Sequence, residues 1–133
     1  EPFLVGTAVN LIQAQRLVRT LCKDCRKAYR AVPEMIEEVG LAKFAAPGSD
    51  VILYEPVGCE QCARTGFVGR VAIMEVMPMS DGVRSLVMRH ATSGEIQKQA
   101  VSEGMMTMYE HGLRKVLAGT TTIEEVLRVT RET

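Results

Sequence analysis

Cys22-Lys23-Asp24-Cys25, a 33-residue insert over 26–58, and then Cys59-Glu60-Gln61-Cys62 form the stretch around which this 133-residue chain is organised. A Cys-x-x-Cys turn converges two sulfurs on one ion, and two such turns supply the four ligands of a closed tetrahedral site. All four cysteines of the chain are used. The spacing predicts structural zinc held by Cys22, Cys25, Cys59 and Cys62. Three alternatives compete with it. Two disulfides belong to oxidising compartments, and no signal-peptide pattern opens the chain. A catalytic dithiol needs only one Cys-x-x-Cys, usually in a strand–helix setting. Iron fits the same four-sulfur tetrahedron. A closed site leaves no position for substrate or activated water, so the expected role is that of a staple.

Composition bounds the rest. The length suits one small domain, and 47% hydrophobic with 24% charged residues is an ordinary globular balance. A net charge of +0 makes the whole chain no magnet for nucleic acid or anionic membrane. Aromatics at 5% and the absence of Trp argue against base-stacking platforms. No apolar run approaches a membrane span. The opening Glu1-Pro2-Phe3-Leu4-Val5, without Met, reads as the interior of a longer protein.

Along the chain, Leu11, Ala14, Leu17, Val18 and Leu21 recur at three- and four-residue steps, which predicts an amphipathic helix over 8–21 running into Cys22. Pro33 and Gly40 suit the first position and the C-terminal cap of a short helix. Pro47-Gly48-Ser49-Asp50 signals a loop. Val51-Ile52-Leu53-Tyr54 reads as a strand, with 67–77 as its expected hairpin partner and the metal at the open end. Glycines beside the thiolate turns allow amides to point at sulfur. Lys23, Arg26, Lys27 and Arg64 offset the formal excess of two negative charges that four thiolates leave around a dication.

From Ser80 onward the pattern is helical. Ser80 suits an N-cap, and Thr92/Glu95 and Thr122/Glu125 have capping-box spacing. Glu37-Glu38 and Glu124-Glu125 read as exposed helix faces, and the methionines at 105, 106 and 108 as core filler. His90 and His111 are surface or cap residues in this reading, since the cysteines already satisfy four-coordination. The expected fold is α+β: a mostly helical small domain, a β-hairpin carrying the tetracysteine zinc site, then a helical tail. The expected boundaries are 1–21, 22–78 and 79–133. No Gly-x-x-x-x-Gly-Lys-[Ser/Thr] phosphate loop, His-Glu-x-x-His or Ser/His/Asp arrangement is present, so no catalytic residue is assigned.

Longer strings carry a resemblance. Gln15-Arg16-Leu17-Val18-Arg19-Thr20-Leu21-Cys22-x-x-Cys25 resembles a segment of the type II secretion and type IV pilus assembly ATPases. So does Gly58-Cys59-x-x-Cys62-x-x-Thr65-Gly66-Phe67-x-Gly69-Arg70, continued by Val71-Ala72-Ile73-Met74-Glu75-Val76-Met77. Glu103-Gly104-Met105, His111-Gly112-Leu113 and the run from Gly119 to Val129 extend it over almost the whole chain. The resemblance implies the C-terminal region of a hexameric, cytoplasmic motor ATPase, peripheral to the bacterial inner membrane through its partners. Residues 1–21 would link to an ATPase core outside the chain, where ATP and magnesium are held. The implied partners are that core, neighbouring subunits and inner-membrane platform proteins, with no nucleic acid. Arg16, Arg19 and Arg70 are the family-motif arginines; they reach nucleotide or a neighbouring subunit, or else form local ion pairs. Two other functions compete: a free-standing zinc ribbon that binds nucleic acid, and a rubredoxin-like electron carrier.

Overall fold

The computed structural model describes residues 8–46, 48 and 50–131; Pro47 and Ser49 of the expected loop lie outside the described residues. Among the described residues four strands are formed: β1 Leu11–Leu21, β2 Lys27–Arg30, β3 Ile52–Glu55 and β4 Phe67–Pro78. The α-helices that accompany them are α1 Pro33–Val39, α2 Asp81–Met88, α3 Ser93–Ser102, α4 Met108–Leu117 and α5 Ile123–Thr130. The class is therefore α+β, as the sequence predicts.

The helix expected over 8–21 is instead the long strand β1. Of the apolar positions that suggested a helical stripe, Leu11 and Leu17 are exposed, and only Val18 and Leu21 are buried. Leu, Gln, Ala and Arg favour a helix by only tenths of a kcal/mol per residue. β1 pairs with β4, whose Val71, Ile73 and Val76 are β-branched residues suited to a pleated surface. Backbone pairing with a partner far along the chain outweighs that weak local preference.

The strand partners also differ from expectation. β3 pairs with β2, antiparallel in the register Lys27↔Glu55, Ala28↔Tyr54, Tyr29↔Leu53 and Arg30↔Ile52, while β4 pairs with β1. The polar run Lys27-Ala28-Tyr29-Arg30 carries no alternation that announces a strand; its partner supplies the structure. A long ribbon, β1–β4, and a short one, β2–β3, thus stand where one hairpin was expected, and the cysteine turns sit where the chain passes from one ribbon to the other.

The end residues read for α1 and the N-cap side chains are realised, though for the capping boxes only the half in which the hydroxyl accepts is shown. Pro33 opens α1, and Gly40 ends it at φ 86°, its amide donating to the Glu37 and Ile36 carbonyls. The side chains of Ser80, Thr92 and Thr122 accept from the amides of Val83, Glu95 and Glu125.

The chain divides into two compact units, and the helices after Ser80 are shared between them. In the unit formed by 1–15 and 74–108, Met79, Val83 and Ala100 form a buried cluster on which Val9, Met77, Val87, Ile96 and Met105 pack. Met105 is thus core filler, as expected. The unit formed by 16–73 and 109–133 holds the cysteines, with Val18, Leu21, Leu41, Leu53, Ile73, Leu113, Val116, Ile123 and Val126 buried.

Candidate metal centre

The first cysteine turn leaves β1 directly after Leu21, and the second follows β3 through Pro56-Val57-Gly58. Each turn closes on its own backbone: Arg26 N–H donates to the Cys22 carbonyl at 3.0 Å, and Arg64 N–H to that of Cys59 at 2.8 Å. A direct bond joins the two, from Cys22 N–H to the Gly66 carbonyl at 2.9 Å. Gly66 needs its missing side chain here. Its φ is +85°, and a Cβ would stand 2.5 Å from Cβ of Pro56. At Gly58, φ +109°, a Cβ would stand 2.8 Å from the Arg64 carbonyl oxygen. The Thr65 hydroxyl donates to the Cys62 carbonyl at 2.7 Å and accepts from Phe67 N–H, fixing the exit into β4.

These turns gather all four sulfurs predicted from the sequence. Cys22 and Cys59, Cys25 and Cys62, and Cys59 and Cys62 each stand 3.8 Å apart, sulfur to sulfur, and all four lie within 4.8 Å of one another. A tetrahedron with metal–sulfur arms of about 2.3 Å has edges of about 3.8 Å. A disulfide would hold two sulfurs about 2.05 Å apart, and all four cysteines are free. The donor set therefore fits a tetrahedral soft-metal ion and not a pair of disulfides. Neither histidine joins this set among the described residues.

Backbone amides reach the sulfurs, as the glycine positions led us to expect. Gly58 N–H donates to Sγ of Cys25 at 3.3 Å, while the amides of Cys59 and Gly66 donate to Sγ of Cys62 at 3.2 and 3.1 Å. Burial pushes the Cys22 thiol up to about 11, and the Cys59 and Cys25 side chains add to the rise. Burial acts on Cys62 in the same sense, but the Cys59 and Gly66 amides and the neighbouring thiols bring it down to about 6. Cys62 is thus the sulfur readier to be a thiolate, and Cys22 the one that a bound cation would have to deprotonate.

The cations expected to offset the thiolates are employed otherwise in part. The Arg26 guanidinium lies over the Tyr54 ring, 4.1 Å from its centroid, and donates to the Gly119 carbonyl. Lys23, Lys27 and Arg64 are exposed, and Lys27 stands opposite Glu55 in the β2–β3 register.

Of the three family-motif arginines, Arg19 is engaged locally. It stacks on Phe67 at 4.2 Å and meets Glu125 through Nε at 3.1 Å and Nη2 at 2.8 Å. Arg16 and Arg70 are exposed and, among the described residues, make no ion pair.

Glu125 corrects the sequence reading. The expected exposed face at 124–125 holds for Glu124 only; Glu125 is buried, its side chain 4% exposed. Its carboxylate accepts from Arg19 N–H at 2.8 Å, from the Arg19 guanidinium, and from Arg128 through Nη2 at 2.9 Å. Burial alone would raise its pKa, but the bonds from Arg19 and Arg128 carry it down to about 2. Only half of a capping box forms at Thr122, because the acid turns to the arginines. The same segment covers the free edge of β1: Leu21 N–H donates to the Thr120 carbonyl at 2.8 Å, and the buried Thr121 hydroxyl to that of Arg19 at 2.7 Å. The α4–α5 turn and α5 are therefore fastened to the residues immediately before the first cysteine.

This four-sulfur centre lies in a secretion-system protein. Residues 1–128 match the family model described as Type II/IV secretion system protein, and the chain belongs to that family. Among its relatives, the "Type IV pilus assembly ATPase PilB" of Myxococcus xanthus is 43% identical over 96% of this chain and 22% of its own length. "Type II secretion system protein E" of Pectobacterium carotovorum is 44% identical over 99% of this chain, and that of Xanthomonas campestris 46% over 99%. The chain spans 25% and 23% of those two relatives. Among the described residues no helix is long and apolar enough to cross a membrane.

Proposed function

We propose that the chain is the cysteine-bearing C-terminal part of a hexameric motor ATPase of type II secretion or type IV pilus assembly. Within it the chain acts as a zinc-stapled structural and interaction module. The carrying observation is the sulfur arrangement: four thiols from two turns, with three edges of 3.8 Å, match the tetrahedron of a closed zinc site. The family match and the names of the relatives support the motor context. In this reading Cys22, Cys25, Cys59 and Cys62 hold zinc, which supplies binding free energy to the fold and no reaction. ATP and magnesium belong to a core outside the chain. The chain's own partners are that core, neighbouring subunits and inner-membrane platform proteins on the cytoplasmic side. Arg16 and Arg70 are the arginines left to meet a neighbouring subunit or nucleotide there, since Arg19 is spent on Glu125.

Elemental analysis of the purified chain tests the metal: about one zinc per chain is expected, with chelation exposing residues 22–70 to amide exchange. A Cys25→Ser variant that keeps full thermal stability and exchange protection would refute the staple. Red protein carrying iron with a reversible potential would support an electron carrier instead. Steady-state ATP turnover by this chain alone, above a buffer blank, would refute the placement of hydrolysis elsewhere.

A further inference from the structure

The four sulfurs are not equivalent. Cys22 and Cys62 are buried, at 2% and 5% exposure, whereas Cys25 and Cys59 are half-buried. A small solute arriving from water therefore meets Cys25 or Cys59 first. Sγ of Cys25 accepts the Gly58 amide at 3.3 Å, and a hydrogen bond that stabilises a thiolate weakens it as a nucleophile. Sγ of Cys59 accepts no backbone amide among the described residues. Cys59 is also 3.8 Å from two other sulfurs, those of Cys22 and Cys62, while Cys25 has one at that separation. Access, an undamped sulfur and two adjacent reaction partners coincide at Cys59 alone.

We propose that the centre is peroxide-sensitive and opens at Cys59, whose sulfur is the first oxidised and enters the first disulfide, with Cys22 or Cys62. This rests on the zinc reading and adds its regulation. The Cys59 thiolate attacks one oxygen of hydrogen peroxide; an S–O bond forms, the O–O bond breaks, and hydroxide leaves. Cys59 is now a sulfenic acid and the peroxide is reduced. The thiolate of Cys22 or Cys62 attacks the Cys59 sulfur; an S–S bond forms and a second hydroxide leaves. Two protons from solvent convert both hydroxides to water. Closing 3.8 Å to about 2.05 Å removes two of four ligands, and the two remaining thiolates do not make a closed site.

The test treats the metal-loaded chain with about one equivalent of hydrogen peroxide, in the presence and absence of dimedone as a sulfenic-acid trap. Free zinc is read with a colorimetric chelator, and disulfides are mapped by non-reducing mass spectrometry. The expected result is a dimedone adduct on Cys59, a first disulfide containing Cys59, and zinc appearing in step with that disulfide. Dithiothreitol and added zinc should reverse it. A first disulfide of Cys22 with Cys25 or of Cys25 with Cys62, an adduct on Cys25, or zinc retained under about a tenfold excess of peroxide would overturn the proposal. Zinc content is measured before peroxide is added; a preparation without zinc overturns the zinc reading itself, and this inference with it.

Discussion

Replacing Glu125 by Gln is expected to destabilise the fold by on the order of 2–3 kcal/mol near neutral pH, and by progressively less in acid. The carboxylate is 4% exposed and accepts from the Arg19 amide, the Arg19 guanidinium and the Arg128 guanidinium. Burial opposes ionisation, yet these donors hold its pKa at about 2, below the ordinary 4.5. At about 1.36 kcal/mol per pH unit, that difference corresponds to roughly 3 kcal/mol of stability carried by the ionised form. The two guanidiniums are 51% and 54% exposed, so water screens part of the attraction and the lower end of the range applies. Gln keeps the shape and one acceptor for the Arg19 amide but removes the charge. The folded pKa lies below the unfolded one, so the contribution is complete above about pH 4.5 and is lost as pH falls through about 2. The assay is urea unfolding followed by far-UV circular dichroism, for wild type and E125Q, from about pH 7.5 down to about pH 3.5. In the zinc reading both proteins shed metal in acid, so the difference between them is the readout. An Arg19→Met partner closes a double-mutant cycle that isolates the pair. A difference below about 0.5 kcal/mol near pH 7, or one that does not shrink in acid, would refute the assignment.

Further substitutions probe the packing. A Gly66→Ala methyl would stand 2.5 Å from Pro56 Cβ at φ +85°, whereas at Gly69, φ +75°, nothing lies within 4 Å. We therefore expect G66A to cost about 2–3 kcal/mol and to weaken metal binding, and G69A to cost about 1; equal losses in thermal melts would contradict the geometry. At Gly112 a Cβ would meet Val126 Cγ1 at 2.6 Å and Ile73 Cδ1 at 3.3 Å. Overpacking of about 1–3 kcal/mol should then exceed the roughly 1 kcal/mol that Ala gains in a helix, and V126A should rescue G112A; a higher Tm for G112A alone would count against this. Arg26→Met removes the Tyr54 stack and the bond to Gly119, for a loss of about 1–2 kcal/mol and faster exchange at 119–121. Should zinc stoichiometry fall while 119–121 stays protected, Arg26 serves the metal rather than the turn.

The centre was legible because its chemistry is local: four residues of one type at fixed spacing, with Gly58 and Gly66 placed to let amides reach sulfur. Helix starts were legible for the same reason, since Ser80, Thr92 and Thr122 bond amides three residues on. What escaped was everything supplied by a distant partner. β1 carries a helical period because Leu17, Val18 and Leu21 happen to fall at such steps, while its structure comes from β4. β2 has no period at all and is a strand because β3 lies beside it. Glu125 sits one residue from Glu124 and in the spacing of a capping box, so local rules make it a surface acid. Its burial depends on Arg19, 106 positions away in the chain.

Leu21 and Cys22 are adjacent, yet their amides lead to two separate segments of this unit: one to Thr120 ahead of the last helix, the other to Gly66 beyond the second cysteine turn. In the zinc reading, cation uptake and the seating of α5 are linked equilibria, and linkage runs both ways. Shortening the chain before Ile123 would lower its affinity for the ion without touching a ligand, and an ion affinity measured on the whole chain already contains the work of seating that helix.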